Sequence, residues 1–128
     1  MGIGLICRDG CFLVRKRPEG TVYAGYWEFP GGKCEPGELP IQAVERECFE
    51  ETGLAVVVGR RRCMTLHRYP HGFVELHFHD CIPADKAAEP PAATGFCWIP
   101  ARNLATLRFP EANEAVLEQL ARGAEGEH

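Results

Sequence analysis

The order of hydrophobic and polar positions divides the chain into short β-rich runs and two amphipathic helices. Residues 3–7 and 11–17 are apolar runs joined by Arg8-Asp9-Gly10, and an Asp-Gly step between such runs predicts a β-hairpin. An aromatic run over residues 23–29 stops at Pro30-Gly31-Gly32, a sequence that favours a loop. The N-terminal part of the chain is therefore predicted to form paired strands that lead into this loop.

A helix is predicted over residues 39–52, where the hydrophobic spacing changes. Ile41, Val44 and Cys48 recur at i, i+3 and i+7 on one face. Gly53 follows at the position where a helix C-cap is expected. A helix of this length makes about three and a half turns.

The second half of the chain returns to strands before a final helix. Residues 54–58 are rich in β-branched side chains, residues 73–82 alternate apolar with polar positions, and residues 96–99 form a short apolar run. Residues 84–94 are rich in Ala and Pro and are predicted to be a surface loop. A helix is predicted from Pro110, which suits a first helical turn, with the apolar stripe Ala112, Val116, Leu117 and Leu120.

Strands before, between and after two helices predict a single α+β, or mixed α/β, domain. We expect this domain to span residues 1–122, with residues 123–128 as a flexible C-terminal tail.

Composition restricts the class of protein without changing this picture. With 45% hydrophobic and 25% charged residues, a chain of 128 residues is predicted to fold as an ordinary globular domain. It has no apolar run long enough to span a membrane, no recognisable signal peptide and no basic tract beyond Arg60-Arg61-Arg62. We therefore expect a cytoplasmic protein that binds neither membranes nor polymeric nucleic acid. Seven cysteines without a C-x-x-C pair predict reduced thiols.

The acidic charge is concentrated in residues 35–51. The whole chain has a formal net charge of −4, whereas this segment has six acidic side chains and one basic one, a local charge of −5. Within the predicted helix, Glu47, Glu50 and Glu51 fall at i, i+3 and i+4 and so share one face. Like charges at these spacings destabilise a helix by roughly 0.2–0.5 kcal/mol per pair. The face is either a solvated acidic surface or a site for a hard divalent cation such as Mg²⁺, which takes oxygen ligands and shares them with substrate phosphates.

The same segment matches a known motif. The pattern G-x5-E-x7-R-E-U-x-E-E-x-G-U, with U aliphatic, is met at all its fixed positions by Gly32, Glu38, Arg46, Glu47, Glu50, Glu51 and Gly53. This segment resembles the Nudix box, with Cys48 at an aliphatic position as the deviation. The flanking sequences WEFPGGK at residues 27–33 and FPEANE at residues 109–114 are similar to those of MutT-like members, so the resemblance covers about residues 3–120.

The resemblance implies a fold and a reaction. The fold is the Nudix α/β/α sandwich, a mixed β-sheet between helices. The reaction is hydrolysis of a (deoxy)nucleoside triphosphate to the monophosphate and pyrophosphate, and the MutT-like version of it acts on oxidised guanine nucleotides such as 8-oxo-dGTP.

The resemblance also implies catalytic and metal-binding residues. The carboxylates of Glu47, Glu50 and Glu51 and the carbonyl of Gly31 would bind Mg²⁺ or Mn²⁺. Glu38 and Arg46 would orient these carboxylates. Either a carboxylate, Glu47 first, or the metal would activate the attacking water. MutT-like enzymes have a further Glu on a later loop, but residues 93–98 contain none, which leaves either Glu89 or the helix carboxylates alone.

The implied substrate site consists of Arg17, Phe29, Gly32, Lys33 and Asn113. An Asn amide can donate to O6 and accept from N7–H, and guanine has a proton on N7 only in its 8-oxo form. His71 and Gly72, however, stand where MutT-like enzymes have an acidic and a basic residue. A CTP or general deoxynucleotide diphosphatase, a non-nucleotide diphosphate hydrolase and a catalytically silent nucleotide-binding module are therefore kept as alternatives, and both a monomer and a homodimer stay open.

Three histidines could point to different chemistry. His77 and His79 share a strand face, but a transition-metal site would need a third ligand at a fixed spacing. We expect these two and His67 to line the substrate side of the sheet or to face solvent.

Overall fold

A mixed β-sheet forms the middle layer of the molecule. The structure, a computed structural model, describes residues 1–125 apart from the side chains of residues 69, 124 and 125. In this part of the chain the strands are β1 (Gly2–Arg8), β2 (Cys11–Lys16), β3 (Trp27–Glu28), β4 (Gly31–Gly32), β5 (Val56–Tyr69), β6 (Gly72–Pro83) and β7 (Cys97–Pro100).

The strands run in the order β3-β2-β1-β6-β5, with β4 also paired to β1 and β7 to β2. Neighbours β1 and β6 are parallel, with Ile3 opposite Phe78, whereas the other pairs in the described residues are antiparallel. The sheet is therefore mixed, as the resemblance to the Nudix family implies.

The predicted hairpin at the N-terminus is confirmed. β1 and β2 pair antiparallel with Cys7 opposite Phe12. Asp9 and Gly10 have positive φ angles of 51° and 76°, which is the conformation that a two-residue turn between twisted strands requires.

Two helices cover opposite faces of the sheet. Helix α1 (Pro40–Thr52) buries Val44 and Cys48 against one face, and helix α2 (Glu114–Glu125) buries Val116 and Leu120 against the other. Close packing under α1 depends on Gly4, because a Cβ there would lie 2.5 Å from the Cys48 sulfur. The expected α/β/α sandwich is thus the observed architecture.

The α1 boundaries agree with the prediction, and its ends have identifiable causes. Pro40 occupies the first turn, where its missing N–H costs nothing. At the other end Gly53 adopts φ 77° and donates its N–H to the Phe49 carbonyl.

Three element predictions differ from the structure. The strand predicted at residues 54–58 is β5, which continues to Tyr69, because a β-bulge accommodates the arginine run that interrupts the alternating pattern. Of the aromatic run at residues 23–29, only Trp27–Glu28 pairs as a strand. The helix predicted from Pro110 begins with a 3-10 turn (Glu111–Asn113) and continues as α2 beyond Gly123 to Glu125. The rest of the expected tail, residues 126–128, lies outside the described residues.

Two further features concern the described part of the chain. None of its helices is both long and apolar enough to cross a membrane. It contains no disulfide bond.

Candidate active site

Arg46 is the centre of a cluster of carboxylates on α1 and the preceding loop. Its guanidinium donates two hydrogen bonds to Glu38, of 2.9 and 2.8 Å, and further bonds to Glu47 at 2.8 Å and Glu50 at 3.2 Å. A fifth bond, of 3.1 Å, reaches the carbonyl of Lys33 and so fixes the loop. The hydrogen bonds from Arg46 lower the pKa of Glu38 to about 2. One planar cation thus orients three of the carboxylates that the Nudix-box pattern specifies.

Glu51 is held separately, on the side of the helix that faces the sheet. Its carboxylate accepts the Gly31 N–H at 3.1 Å and an Arg15 N–H at 3.3 Å. The side chain is only 18% exposed, and burial is the main cause that raises its pKa to about 7. The Gly31 N–H and the charge of Arg15 both lower this pKa, but by less than burial raises it.

Gly32 brings the backbone of β4 against the helix carboxylates. A Cβ at this position would lie 2.5 Å from the carboxyl carbon of Glu47 and 2.7 and 2.8 Å from its oxygens. Only glycine allows this approach.

The donor set suits a hard divalent cation, although the side chains do not form a finished cage. In the described residues no three His, Cys, Asp or Glu side chains converge as a metal cluster. Instead Arg46 holds Glu47 and Glu50, and Arg15 holds Glu51. Three neighbouring carboxylates, one of them only 18% exposed, are oxygen ligands of the kind that Mg²⁺ prefers. The residues therefore fit the metal that the sequence predicts.

A cavity of about 180 Å³ lies next to this cluster. It brings together Arg17, Phe29 and Asn113, three of the predicted substrate residues that are far apart in the sequence. Gly31 also lines it, and the N–H of Gly31 is the one that Glu51 accepts. We call this space the base cavity. It is smaller than a typical ligand pocket of about 300–1,000 Å³, so it suits one ring system rather than a whole nucleotide.

The base cavity has an apolar wall and an oriented amide. Phe29 stacks on Phe109, with ring centroids 5.1 Å apart and an interplanar angle of 26°. The Asn113 amide donates one N–H to the Pro110 carbonyl at 3.1 Å. An Asn amide has two N–H donors and one acceptor oxygen, so this bond orients the group while it uses one donor.

A chain of ion pairs connects the base cavity to the helix carboxylates. Arg17 bonds to Glu28 at 2.7 Å, Glu28 to Arg15 at 2.8 Å, and Arg15 to Glu51 at 3.3 Å. Arg15 and Glu28 are site residues that the sequence did not predict. The signal for them is the spacing of the arginines: Arg15 lies in β2 and Arg17 follows two residues later, just after the strand ends, while Arg15 pairs directly with Glu28 of β3.

Other predicted residues lie elsewhere. Lys33 and His71 line a separate cavity of about 380 Å³, together with Gly72 at the β5–β6 turn.

Glu89, the candidate replacement for the missing Glu, bonds to Arg8 at 2.7 Å and to the Trp98 indole N–H at 3.0 Å. Its contacts therefore engage another part of the surface and not the helix carboxylates.

The histidines have three different environments. His67 lines the base cavity. We expected His79 to line the substrate side of the sheet or to face solvent, and this prediction was wrong. His79 is only 8% exposed, and its Nδ1 lies 3.1 Å from the Gly59 carbonyl at the β5 bulge. His77 contacts Glu75 at 2.9 Å and Arg61 at 3.3 Å on the hairpin surface.

Comparison with known proteins gives a consistent picture. A family model described as NUDIX domain matches residues 2–119. The chain is 37% identical over 92 residues to the CTP pyrophosphohydrolase of Escherichia coli (strain K12), an alignment that covers 61% of this chain and 68% of that protein. It is 30% identical over 129 residues to the 8-oxo-dGTP diphosphatase of the same strain, which covers 95% of each.

Solved structures give the same fold. The E. coli ORF135 protein has a TM-score of 0.74 and 29% identity, with 98% of this chain and 91% of that chain covered. The MutT protein of methicillin-resistant Staphylococcus aureus 252 has a TM-score of 0.74 and 26% identity, with 94% and 93% covered.

Proposed function

This chain belongs to the Nudix family of hydrolases, and we propose that its site cleaves a nucleoside triphosphate to the monophosphate and pyrophosphate. The observation that carries this proposal is the position of Gly31. It lines the base cavity, and its N–H binds Glu51 of the carboxylate cluster. A nucleotide whose base enters the cavity would therefore have its phosphates beside the carboxylates.

The carboxylates of Glu47, Glu50 and Glu51 and the carbonyl of Gly31 are the ligands that we assign to Mg²⁺, with Mn²⁺ as the alternative. When bound, the cation would neutralise the diphosphate oxygens and acidify water. Arg46 would keep Glu47 and Glu50 in place through its hydrogen bonds to both. Glu38 in turn orients Arg46 by accepting its Nε–H.

Glu47 is the base that we assign to the hydrolysis step. It would take a proton from water as the water oxygen attacks phosphorus. The α–β phosphoanhydride bond then breaks, and the bridging oxygen keeps its electron pair. That oxygen leaves on the monophosphate when water attacks the β-phosphorus and on pyrophosphate when water attacks the α-phosphorus, so both routes give the same two products. Arg46 holds the Glu47 carboxylate at 2.8 Å, and the missing side chain of Gly32 leaves room for that carboxylate beside the backbone.

The first candidate substrate is an oxidised guanine nucleotide such as 8-oxo-dGTP. Asn113 offers an oriented amide in the base cavity, and such an amide can pair with both O6 and N7–H of the oxidised base. A site built around this pair would leave groups unpaired with ordinary guanine, which is how a hydrogen-bonding site rejects an analogue. Relatives named 8-oxo-dGTP diphosphatase support this assignment.

A second candidate is CTP or another ordinary nucleotide. The relative named CTP pyrophosphohydrolase is 37% identical over the aligned part. In addition, His71 and Gly72 stand where MutT-like enzymes have an acidic and a basic residue. Both line the separate cavity that Lys33 also lines, and neither lines the base cavity. These observations favour a site that is less specialised for oxidised guanine.

The test is pyrophosphate release from 8-oxo-dGTP, dGTP and CTP, with and without Mg²⁺. We expect turnover that requires the cation and a kcat/KM that is highest for 8-oxo-dGTP. Glu50→Gln should lower kcat by at least about 100-fold, whereas the exposed Glu45→Gln on the same helix should have little effect. Asn113→Ala should lower kcat/KM for 8-oxo-dGTP by about 10- to 100-fold and leave CTP less affected.

Full activity of Glu50→Gln, or no turnover of any nucleotide, would contradict the hydrolase site. A preference for CTP that Asn113→Ala leaves unchanged would instead assign the second candidate.

A further inference from the structure

Tyr23 is an aromatic residue of the β2–β3 loop that lines the base cavity. The residue is 45% exposed, so it is not fully covered by the protein around the cavity. The Nudix-box pattern says nothing about this position, because the pattern begins at Gly32.

The backbone of Tyr23 is in an unusual conformation. Its φ is 61°, in the left-handed region that few residues other than glycine adopt. Strained backbone of this kind costs about 1–3 kcal/mol and persists where the surroundings over-determine it, commonly at ligand sites.

Hydrogen bonds on both sides hold the loop in this conformation. The Tyr26 N–H donates to the Tyr23 carbonyl at 3.0 Å, and the Ala24 N–H donates to Thr21 at 3.2 Å. The Val22 carbonyl accepts the Arg17 Nε–H at 2.7 Å. The loop is thus tied to Arg17, which is itself a wall of the base cavity.

Aromatic contacts fix the ring as well as the backbone. The rings of Tyr23 and Tyr26 meet edge to face, with centroids 5.3 Å apart at 76°. Tyr26 is in turn covered by the guanidinium of Arg108 at 4.2 Å from the ring centroid. Two aromatic residues close together in the sequence line the base cavity: Phe29, which directly follows β3, and Tyr23 from the loop.

We propose that Tyr23 is a substrate-contacting specificity residue, whose ring packs on the nucleobase in the base cavity. The left-handed backbone at Tyr23 holds the ring at the rim of the cavity, where one part contacts the wall and another part stays open. This inference rests on the proposed nucleotide substrate, and it adds a contact supplied by the ring and not by the hydroxyl.

The experiment compares KM and kcat for the preferred nucleotide in Tyr23→Asn and Tyr23→Phe. Asn tolerates positive φ, so Tyr23→Asn removes the ring and keeps the turn. We expect Tyr23→Asn to raise KM by about 5- to 50-fold, as loss of one base-stacking ring does, and to change kcat by less than about 2-fold. Tyr23→Phe should behave like wild type, because the ring is retained.

Val22→Asn is the matched control, because it introduces the same residue one position earlier in the loop. The Val22 side chain is 75% exposed and is not among the residues that line the base cavity. Its KM should be that of wild type. Binding of the nucleoside monophosphate in EDTA, measured by calorimetry, should weaken in Tyr23→Asn by the same factor as KM rises.

Melting temperatures show whether each variant is folded, and Tyr23→Gly, which also accepts positive φ, replaces Tyr23→Asn if that variant unfolds. A KM within 2-fold of wild type in the ring-deleted variant, or an equal rise in Val22→Asn, would overturn the inference. Failure of wild type to turn over any nucleotide would instead overturn the proposed function, so the two failures are distinguishable.

Discussion

At the scale of single residues, two arginines divide the candidate carboxylates between them. Arg46 is part of the Nudix-box pattern, so its role was predictable from spacing along one helix. Arg15 is 36 residues from Glu51 in sequence and reaches it only because β2 and α1 pack together. It also lies over the Phe96 ring at 4.7 Å, which restricts where the guanidinium can go.

Glu51 gives a prediction about pH. Its pKa is raised to about 7 from 4.5, so the folded chain binds its proton more tightly than the unfolded chain does. The buried charge therefore costs stability that is absent below about pH 4.5, grows as the pH rises to about 7, and stays constant above it. In EDTA, Glu51→Gln should raise the free energy of unfolding at pH 8 by on the order of 1–3 kcal/mol, with a much smaller gain at pH 4.5.

Urea denaturation at the two pH values measures this difference, and Glu45→Gln is the control for loss of one exposed charge on the same helix. Equal gains at both pH values would show that the effect of Glu51→Gln does not come from its ionisation.

At the scale of elements, α1 is the part that its local sequence specifies most completely. Pro40 and Gly53 agree with the observed boundaries, and Val44 and Cys48 of the predicted apolar face are buried. Ile41 of that face is instead 41% exposed, because it lies in the first turn, and Ala43 is buried in its place. Strand β5 was harder to predict, because the arginine run hides the alternation and the strand is completed by pairing with β6.

Two glycines give stability predictions of opposite sign. Gly53 has φ 77° at the α1 C-cap, and a Cβ there would lie 3.2 Å from Pro91, so Gly53→Ala should destabilise the fold by about 1 kcal/mol. Gly123 is inside α2, and a Cβ there would meet nothing within 4 Å. Gly123→Ala should therefore stabilise the fold by about 0.5 kcal/mol.

Thermal or urea denaturation of both variants checks the pair. Destabilisation by Gly123→Ala would mean that α2 is less regular near this residue than the structure has it.

At the scale of the whole molecule, the formal charge of −4 has an uneven distribution that a cation can offset. A ligand that binds only the folded chain stabilises it by about 2.7 kcal/mol at 100 times its Kd. We expect Mg²⁺ to raise Tm with a saturating dependence on concentration. Glu47→Gln should weaken this shift, and Glu45→Gln should leave it unchanged. If Mg²⁺ raises the Tm of Glu47→Gln as much as that of wild type, the cation does not bind where we assign it.

The amino-acid sequence alone was enough to select the helix carboxylates, Arg46 and the glycines Gly31 and Gly32 as candidates. These residues lie in one short segment, where local geometry sets their spacing. It also supplied Arg17, Phe29 and Asn113 as candidates, but only through a resemblance and without their proximity.

Packing between distant elements brings these three residues to one cavity, which Tyr23 also lines. It also decided that Arg15 and Glu28 connect this cavity to Glu51, and that His79 is buried. Each of these facts depends on contacts between elements far apart in the chain, which hydrophobic periodicity does not encode because the period describes one element at a time.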